Sequence, residues 1–190
     1  NAAAISSDLI QRGGFWTKPV RMADIITVGL RSSYIAAHAA APLLVAKPGG
    51  LLVFTSAPGA VNYAHGPAYG AQKAGTDKMS ADMAVDLRPF GVASVSIWMG
   101  LLKTARSASS MAEKPGQFDF LLPYMETPDF TGRIIAAIHN DPDMMALSGR
   151  TIIGAEQAKE YGVLDLDGSR PNSLRPVTGG PFKYDDLIID

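Results

Sequence analysis

The fold is decided by residues 51–100, which read LLVFTSAPGAVNYAHGPAYGAQKAGTDKMSADMAVDLRPFGVASVSIWMG. The stretch opens with a short apolar run, Leu51 to Thr55, typical of a strand buried on both faces of a sheet. Ala68 to Phe90 then carries apolar side chains at helical spacing, with Met79, Met83 and Leu87 four residues apart, and Gly91 is a candidate for the helix C-cap. Val92 to Ile97 alternates β-branched and small residues, which indicates a second strand. The stretch therefore predicts a strand–helix–strand unit.

The same alternation continues on both sides of this unit. A helical pattern runs from Arg21 to Lys47 before it, and Asp129 to Asn140, Thr151 to Ile153 and Ala155 to Tyr161 predict a helix, a strand and a short helix after it. This order predicts an α/β fold with a doubly wound, mostly parallel, Rossmann-like sheet. We expect residues 1–190 to form part of a single domain.

A long polar segment interrupts the pattern between Leu102 and Thr127. We expect it to lack regular structure, because segments of this length without helices or strands are usually functional lids or mobile loops.

Composition excludes several classes of function. Seventeen basic and eighteen acidic residues give a net charge of −1, so neither nucleic acid nor an anionic membrane is favoured as a partner. The absence of cysteine excludes disulfides and thiolate metal sites, and three scattered histidines make a zinc site unexpected, so no metal site is predicted. With no signal peptide or membrane span recognisable in the sequence, we expect a cytoplasmic protein.

Candidate chemistry lies at the carboxyl ends of the two strands. Ligands of open α/β sheets bind beyond these ends, so Ser56 and the loop that starts at Trp98 are expected to face one crevice. Tyr69 and Lys73 stand four residues apart on the following helix and share one face of it. An ammonium 4 Å from a phenol, at an effective dielectric near 20, favours the phenolate by roughly 4 kcal/mol. Such a tyrosine can exchange a proton with a carbinol oxygen, while Ser56 holds the same oxygen.

Simpler interpretations of these residues stay open. Tyr69 and Lys73 could form an ordinary pair on a helix surface, and Ser56 could be only a turn residue at the end of a strand. His65, in the loop before Tyr69, is interpreted as an exposed loop residue in preference to a substrate contact. Trp98 is compatible with an apolar rim or with a substrate wall.

The segment from Phe54 to Gly100 resembles the short-chain dehydrogenase/reductase family from end to end. It has a strand followed by serine, a loop, Tyr-x-x-x-Lys, an alanine-rich helix that ends in Leu87-Arg88, Gly91-Val92, and a strand that leads into a glycine-containing turn. Ser-x-Pro-Gly after the strand and Lys-Ala-x-x-Asp-Lys in the helix are similar to one subgroup of the family. The resemblance extends from Asn1 to about Pro171.

The resemblance implies a role for each matching residue. Tyr69 would be the catalytic acid/base, Lys73 would hold the nicotinamide ribose and lower the tyrosine pKa, and Ser56 would orient the substrate oxygen. Asn1 and Thr104, together with Gly100, would contact the cofactor. Asn1 could equally be a terminus without a role, and Thr104 could be a helix N-cap.

Two positions depart from the family pattern. Thr27 stands where the family has a helical asparagine that completes its proton relay, and Met99 replaces the usual proline before Gly100. The glycine-rich loop that binds the pyrophosphate, and the residue that selects NAD or NADP, are expected to lie in an upstream half of the family fold that the 190 residues do not include. The substrate is not readable, because residues 105–130 match the substrate loop, which varies within the family.

These observations predict an NAD- or NADP-dependent oxidoreductase that interconverts an alcohol and a ketone or aldehyde. The alternative is a catalytically silent relative that keeps the fold for assembly or ligand binding. A serine hydrolase is disfavoured, because Ser56 lacks the Gly-x-Ser-x-Gly elbow. On the resemblance alone, a homodimer or homotetramer is expected, with a small alcohol or carbonyl compound as the substrate.

Overall fold

A computed structural model describes residues 13–113, 115–185 and 187–189 of the chain. The predicted cofactor residue Asn1 lies outside the described residues. The strands are β1 (Leu51–Ser56), β2 (Ala93–Trp98), β3 (Leu101–Leu102), β4 (Met125–Glu126) and β5 (Thr151–Ile153). The helices are α1 (Asp24–Ile26, Thr27–Arg31 and Ser32–Leu44 in succession), α2 (Pro67–Leu87), α3 (Ala105–Glu113), α4 (Pro128–His139), α5 (Gly154–Tyr161) and α6 (Arg175–Thr178).

The main sheet is parallel throughout the described part of the chain. Its strand order is β1-β2-β5, and β1 pairs with β2 without a register shift, from Leu51 opposite Ala93 to Ser56 opposite Trp98. Strand β5 continues the sheet with Ile153 opposite Trp98. The predicted α/β class with a mostly parallel sheet is therefore confirmed.

Helix α1 contains an irregularity that apolar periodicity does not reveal. Residues Thr27–Arg31 form a π-helical segment, and two serines beyond it bond back to its carbonyl groups. Ser33 Oγ donates to the Gly29 carbonyl oxygen at 2.7 Å, and the Ser32 hydroxyl donates to the Val28 carbonyl oxygen. Short π-helical segments are frequent at functional sites. Thr27, the residue that departs from the family pattern, is the first residue of this segment.

Helix α2 ends earlier than the predicted Phe90. It stops at Leu87 because Pro89 cannot donate a backbone hydrogen bond, and Arg88–Phe90 form a 3₁₀ turn instead. Gly91 then adopts the left-handed conformation at φ 65°, as predicted for a C-cap.

The expectation that residues 102–127 lack regular structure is wrong. The segment contains helix α3 and the 3₁₀ helix Asp119–Tyr124, and its two ends pair as the parallel strands β3 and β4. The start of α3 is fixed by reciprocal hydrogen bonds between Thr104 and Ser107. Such a polar capping motif stabilises a helix in which no residue is buried.

The two faces of the sheet differ in chemistry. The side chains of Ala93, Val95 and Ile97 point into an apolar cluster formed with helices α4 and α5, whose buried members include Phe130, Ile134, Ile138 and Ala158. Strand β2 is buried at all six positions. Burial of apolar surface on this face is the main stabilising contribution of the sheet.

The opposite face of β2 packs against α2 through polar side chains. The buried residues of α2 are Tyr69, Gln72, Lys73, Thr76, Asp77, Ser80, Ala84 and Leu87. Ser80 Oγ lies 3.1 Å from Ser94 Oγ, which is one of several hydrogen bonds between helix and strand. The sequence analysis placed the apolar spacing of this helix at Met79, Met83 and Leu87, but the two methionines are half-buried and lie beside the buried face.

Among the described residues, every helix is too short or too polar to cross a membrane.

The apolar cluster predicts a clear difference between core and surface substitutions. Ile134 is completely buried, so Ile134→Ala is expected to lower the free energy of unfolding by about 2–5 kcal/mol. Val85→Ala, at an exposed position of α2, should change it by less than about 0.5 kcal/mol. Urea denaturation monitored by circular dichroism measures both, and equal effects would contradict the assignment of this core.

Candidate active site

The crevice is formed at the edge where β1 and β2 end. Ser56 and Trp98 are paired in register, and the Met99 backbone N–H donates to the Ser56 carbonyl oxygen at 3.4 Å. The two loops that leave these strands therefore start side by side, as the sequence predicts.

Helix α2 brings Tyr69 and Lys73 to this edge one turn apart. The Lys73 Nζ lies 5.6 Å from the centroid of the Tyr69 ring, a cation–π distance, and each residue is 8% exposed. The alternative of an ordinary pair on a helix surface is wrong, because both side chains are buried. Their catalytic roles stay predictions.

Burial, more than the neighbouring charge, sets the ionisation of this pair. Desolvation raises the pKa of Tyr69 above its usual value, whereas the sequence analysis expected Lys73 to lower it. Desolvation also lowers the pKa of Lys73, and the charge of Asp77 partly opposes that shift. Burial therefore works against the expected phenolate.

Ser56 is completely buried beneath the same turn of α2. Its hydroxyl lies 3.4 Å from the Lys73 carbonyl oxygen, and a hydrogen bond from it also lowers the pKa of Asp77. The structure thus brings Ser56 together with the helix that carries Tyr69 and Lys73. Its predicted contact with a substrate oxygen stays a prediction.

The Tyr69 ring packs against two residues, His65 and Gly59, that the sequence did not assign to the site. The His65 ring lies edge-on to the Tyr69 ring at 5.0 Å between centroids, and His65 is half-buried, not exposed as expected. Its φ of 58° is unusual for a residue other than glycine, and such conformations cluster at functional sites. Gly59 also packs closely against the Tyr69 ring, since a Cβ at position 59 would lie 2.4 Å from Tyr69 Cε1.

A buried carboxylate lies one turn beyond Lys73. Asp77 accepts a hydrogen bond from Ser96 Oγ at 2.6 Å and another from Trp98 Nε1 at 2.8 Å. Trp98 is 1% exposed, so most of its indole lies in the interior. Its interpretation as an apolar rim or as a substrate wall stays a prediction. The Lys-Ala-x-x-Asp-Lys pattern was the sequence signal for Asp77, but the pattern alone does not reveal its partners.

The predicted cofactor residues on the second loop have structural roles. Gly100 has no room for a side chain, because a Cβ would lie 2.6 Å from Glu126 Oε2. Thr104 is exposed and caps α3: its hydroxyl accepts from the Ser107 backbone N–H at 3.2 Å. The N-cap interpretation of Thr104 is confirmed, and the cofactor contacts of both residues stay predictions.

Asp165 holds the C-terminal end of the segment between β3 and β4 in place, at Thr127. This carboxylate is 1% exposed and accepts from the backbone N–H of Thr127 at 2.9 Å and from the Thr127 hydroxyl at 2.5 Å. Lys103, which directly follows β3 at the N-terminal end of the same segment, donates to Asp167 at 3.2 Å. A small and mainly apolar cleft opens next to the site, lined by Pro58, Trp98, Met99, Gly100, Ile153, Ala155, Asn172 and Leu174.

This geometry agrees with the comparisons to known proteins. The family model described as short chain dehydrogenase matches residues 13–115, more than half of the chain. The chain belongs to the short-chain dehydrogenase/reductase family. Dehydrogenase/reductase SDR family member 1 of Homo sapiens is 36% identical over 162 residues, which cover 81% of this chain and 52% of the relative. Its Mus musculus counterpart is 35% identical over the same length. The chain thus spans about half the length of the curated relatives it matches.

Solved structures of short-chain dehydrogenases share the fold. One from Mycobacterium thermoresistibile gives a TM-score of 0.67 at 20% identity, covering 91% of this chain and 60% of that one. One from Escherichia coli CFT073, complexed with NADPH, gives 0.60 at 23% identity and covers 74% and 56%. These likenesses support the doubly wound architecture.

The close packing of Gly59 against Tyr69 predicts that a side chain at position 59 lowers the stability of the protein. Gly59→Ala must displace the tyrosine ring or the loop, and we expect it to lower the free energy of unfolding by about 1–3 kcal/mol. The matched control is Gly132→Ala on α4, where a Cβ meets nothing within 4 Å. That substitution should stabilise the protein by about 0.5–1 kcal/mol, because alanine is the better helix former. Urea denaturation compares the two, and a stabilising Gly59→Ala would contradict this packing.

Asp165 predicts a pH-dependent contribution to stability. Burial raises its pKa, but hydrogen bonds from Thr127 and Leu166 and the charge of Lys103 outweigh burial, so the pKa lies below its ordinary value. A depressed pKa in the folded state stabilises above the unfolded pKa, and that stability is lost as the pH falls through the folded value. Asp165→Asn should therefore cost about 1–3 kcal/mol at pH 7, and progressively less in acid.

Chemical denaturation at several pH values measures this difference. Asp119→Asn, at an exposed position in the same segment, is the control and should have little effect. A cost for Asp165→Asn that stays constant into acid would argue against a charged group at position 165.

Proposed function

We propose that the protein is an NAD(P)-dependent oxidoreductase that interconverts an alcohol and a ketone or aldehyde through Ser56, Tyr69 and Lys73. The observation that carries the proposal is the burial of Tyr69 and Lys73 one turn apart, at the carboxyl edge of a parallel sheet, with the Ser56 hydroxyl 3.4 Å from the Lys73 carbonyl oxygen. Membership of the short-chain dehydrogenase/reductase family supports the same reaction class.

The residues present fit the nicotinamide and ribose end of such a cofactor. A buried ammonium and a phenol at the crevice can bind ribose hydroxyls. Because Gly100 has no side chain, it presents only backbone atoms to a cofactor at the second loop. Relatives of the same fold were solved with NADP or NADPH, which supports a nicotinamide cofactor here and leaves the choice between NAD and NADP open.

The chemistry divides between cofactor and protein. When bound, the nicotinamide supplies or accepts the hydride at the substrate carbon. The Tyr69 hydroxyl moves the proton at the substrate oxygen: it donates in the reduction of a carbonyl and accepts in the oxidation of an alcohol. Burial raises the pKa of Tyr69 and so favours the neutral phenol, which is the form that donates in the direction of reduction.

Lys73 and Ser56 would support this transfer. The Lys73 ammonium, beside the Tyr69 ring, stabilises negative charge that develops on the phenol oxygen. Ser56 would orient the substrate oxygen, for which its hydroxyl must turn from the Lys73 carbonyl toward the crevice. The homodimer or homotetramer predicted from the resemblance remains a prediction.

A catalytically silent scaffold is the second candidate. It is favoured by one observation, the complete burial of Ser56 with its hydroxyl directed at α2. This candidate predicts neither turnover nor cofactor binding.

Replacing one tyrosine separates the candidates. In the full-length gene product, Tyr69→Phe should reduce turnover about 10²–10⁴-fold, because the proton donor is lost while the ring packing stays. Tyr63→Phe, at a residue that is 78% exposed in the same loop region, is the control and should keep normal turnover. The measurement is absorbance of the reduced nicotinamide with a panel of ketones, aldehydes and alcohols. Unchanged turnover in Tyr69→Phe excludes the proposed role of the phenol.

A further inference from the structure

Asp77 is a buried carboxylate that the proposed reaction does not use. It is 2% exposed and lies on α2 one turn beyond Lys73. A carboxylate without compensation is costly in a protein interior, and such groups are usually hydrogen-bonded and paired with an opposite charge. Its surroundings therefore indicate what it does.

Both carboxylate oxygens of Asp77 are occupied by donors from strand β2. Ser96 Oγ donates to Oδ1 at 2.6 Å and Trp98 Nε1 donates to Oδ2 at 2.8 Å. Hydrogen bonds to an ionised acceptor are roughly twice as strong as neutral ones. These bonds fasten α2 to Trp98, the last residue of β2. After Trp98 the chain enters the Met99–Gly100 turn at the crevice.

The ionisable groups that act on Asp77 come from two elements. Burial raises the pKa of Asp77 above its usual value, and hydrogen bonds from Ser96, Ser56 and Trp98 together with the charge of Lys73 on the same helix partly oppose that rise. From the C-terminal segment, Tyr184 faces the same region, and burial and the charges of Asp77 and Asp82 raise the pKa of Tyr184 to about 12. The other groups that bond to Asp77 are Ser56 on β1 and Ser96 and Trp98 on β2, and their side chains carry no charge at neutral pH.

Lys73 and Asp77 are both buried, and their side chains carry opposite charges when ionised. The side chain of Lys73 is buried, and a desolvated ammonium tends to lose its proton. The negative charge of Asp77 acts against this loss. Each charge therefore opposes the effect of burial on the other group, and donors on β2 stabilise the Asp77 anion.

We propose that Asp77 is a positioning residue that serves as the buried counter-ion of Lys73, one helical turn away, and fastens this part of α2 to the end of β2 through Ser96 and Trp98. The consequence for catalysis rests on the proposed function: the charge on Lys73 beside Tyr69 depends on a carboxylate that touches neither substrate nor cofactor. The coupling itself is a property of the folded chain and needs no cofactor.

The first experiment measures the ionisation of Lys73 directly. Lysine side-chain resonances are titrated by NMR in the wild type and in Asp77→Asn, with Lys73 assigned through Lys73→Arg. Asp77→Asn keeps the shape and removes the charge, so the pKa of Lys73 should fall. The matched control is Asp82→Asn on the same helix, where the exposed carboxylate pairs with Lys78. It should leave the pKa of Lys73 unchanged, and an unchanged value in Asp77→Asn overturns the proposal.

A second experiment tests the same coupling from the opposite side and does not require Asp77→Asn to fold. Trp98 donates to Asp77, so in a Trp16→Phe background its fluorescence reports protonation of that carboxylate. Because coupling between two sites is reciprocal, Lys73→Met should raise the pH at which the Trp98 signal changes. A transition at the same pH in both proteins overturns the proposal.

Neither measurement uses a substrate or a nicotinamide. An oxidoreductase that shows no coupling would reject this proposal alone, and a coupled pair in a protein without turnover would reject the proposed function alone.

Discussion

The parallel pairing of β1 with β2 is the constraint on which the site depends. The six paired residues end at Ser56 and Trp98, and helix α2 connects the two strands and packs back across them. A parallel pair needs such a crossover connection, and the connection here carries Tyr69, Lys73 and Asp77. The positions of these side chains are therefore set by strand register and helix packing together.

The two faces of strand β2 have different tasks. Its apolar face meets Phe130, Ile134 and Ile138 and supplies the hydrophobic stabilisation of the sheet. Its other face holds serines and an indole that pair with polar side chains of α2. Buried polar groups of this kind stabilise only when their partners are in place, so the second face fixes the helix in one position. The candidate chemistry lies on this second face.

Burial gives the site its electrostatic character. The pKa of Tyr69 is raised and that of Lys73 lowered, both mainly by desolvation. Shifts of this kind cluster at functional sites. Under the proposed function, Tyr69 and Lys73 would act together as an acid/base pair at the substrate oxygen.

The sequence by itself determined the α/β class, the β1–α2–β2 unit and the helical face shared by Tyr69 and Lys73, because hydrophobic spacing and glycine or proline positions are local signals. It did not determine the buried side of α2: the apolar spacing favoured Met79 and Met83, while tertiary packing buried Thr76, Asp77 and Ser80. The contact of His65 with Tyr69 and the donors around Asp77 were likewise decided by tertiary structure. The physical reason is that a polar side chain becomes favourable in the interior only through partners distant in sequence, and residues 94–98 supply those partners to α2 only after the strands pair.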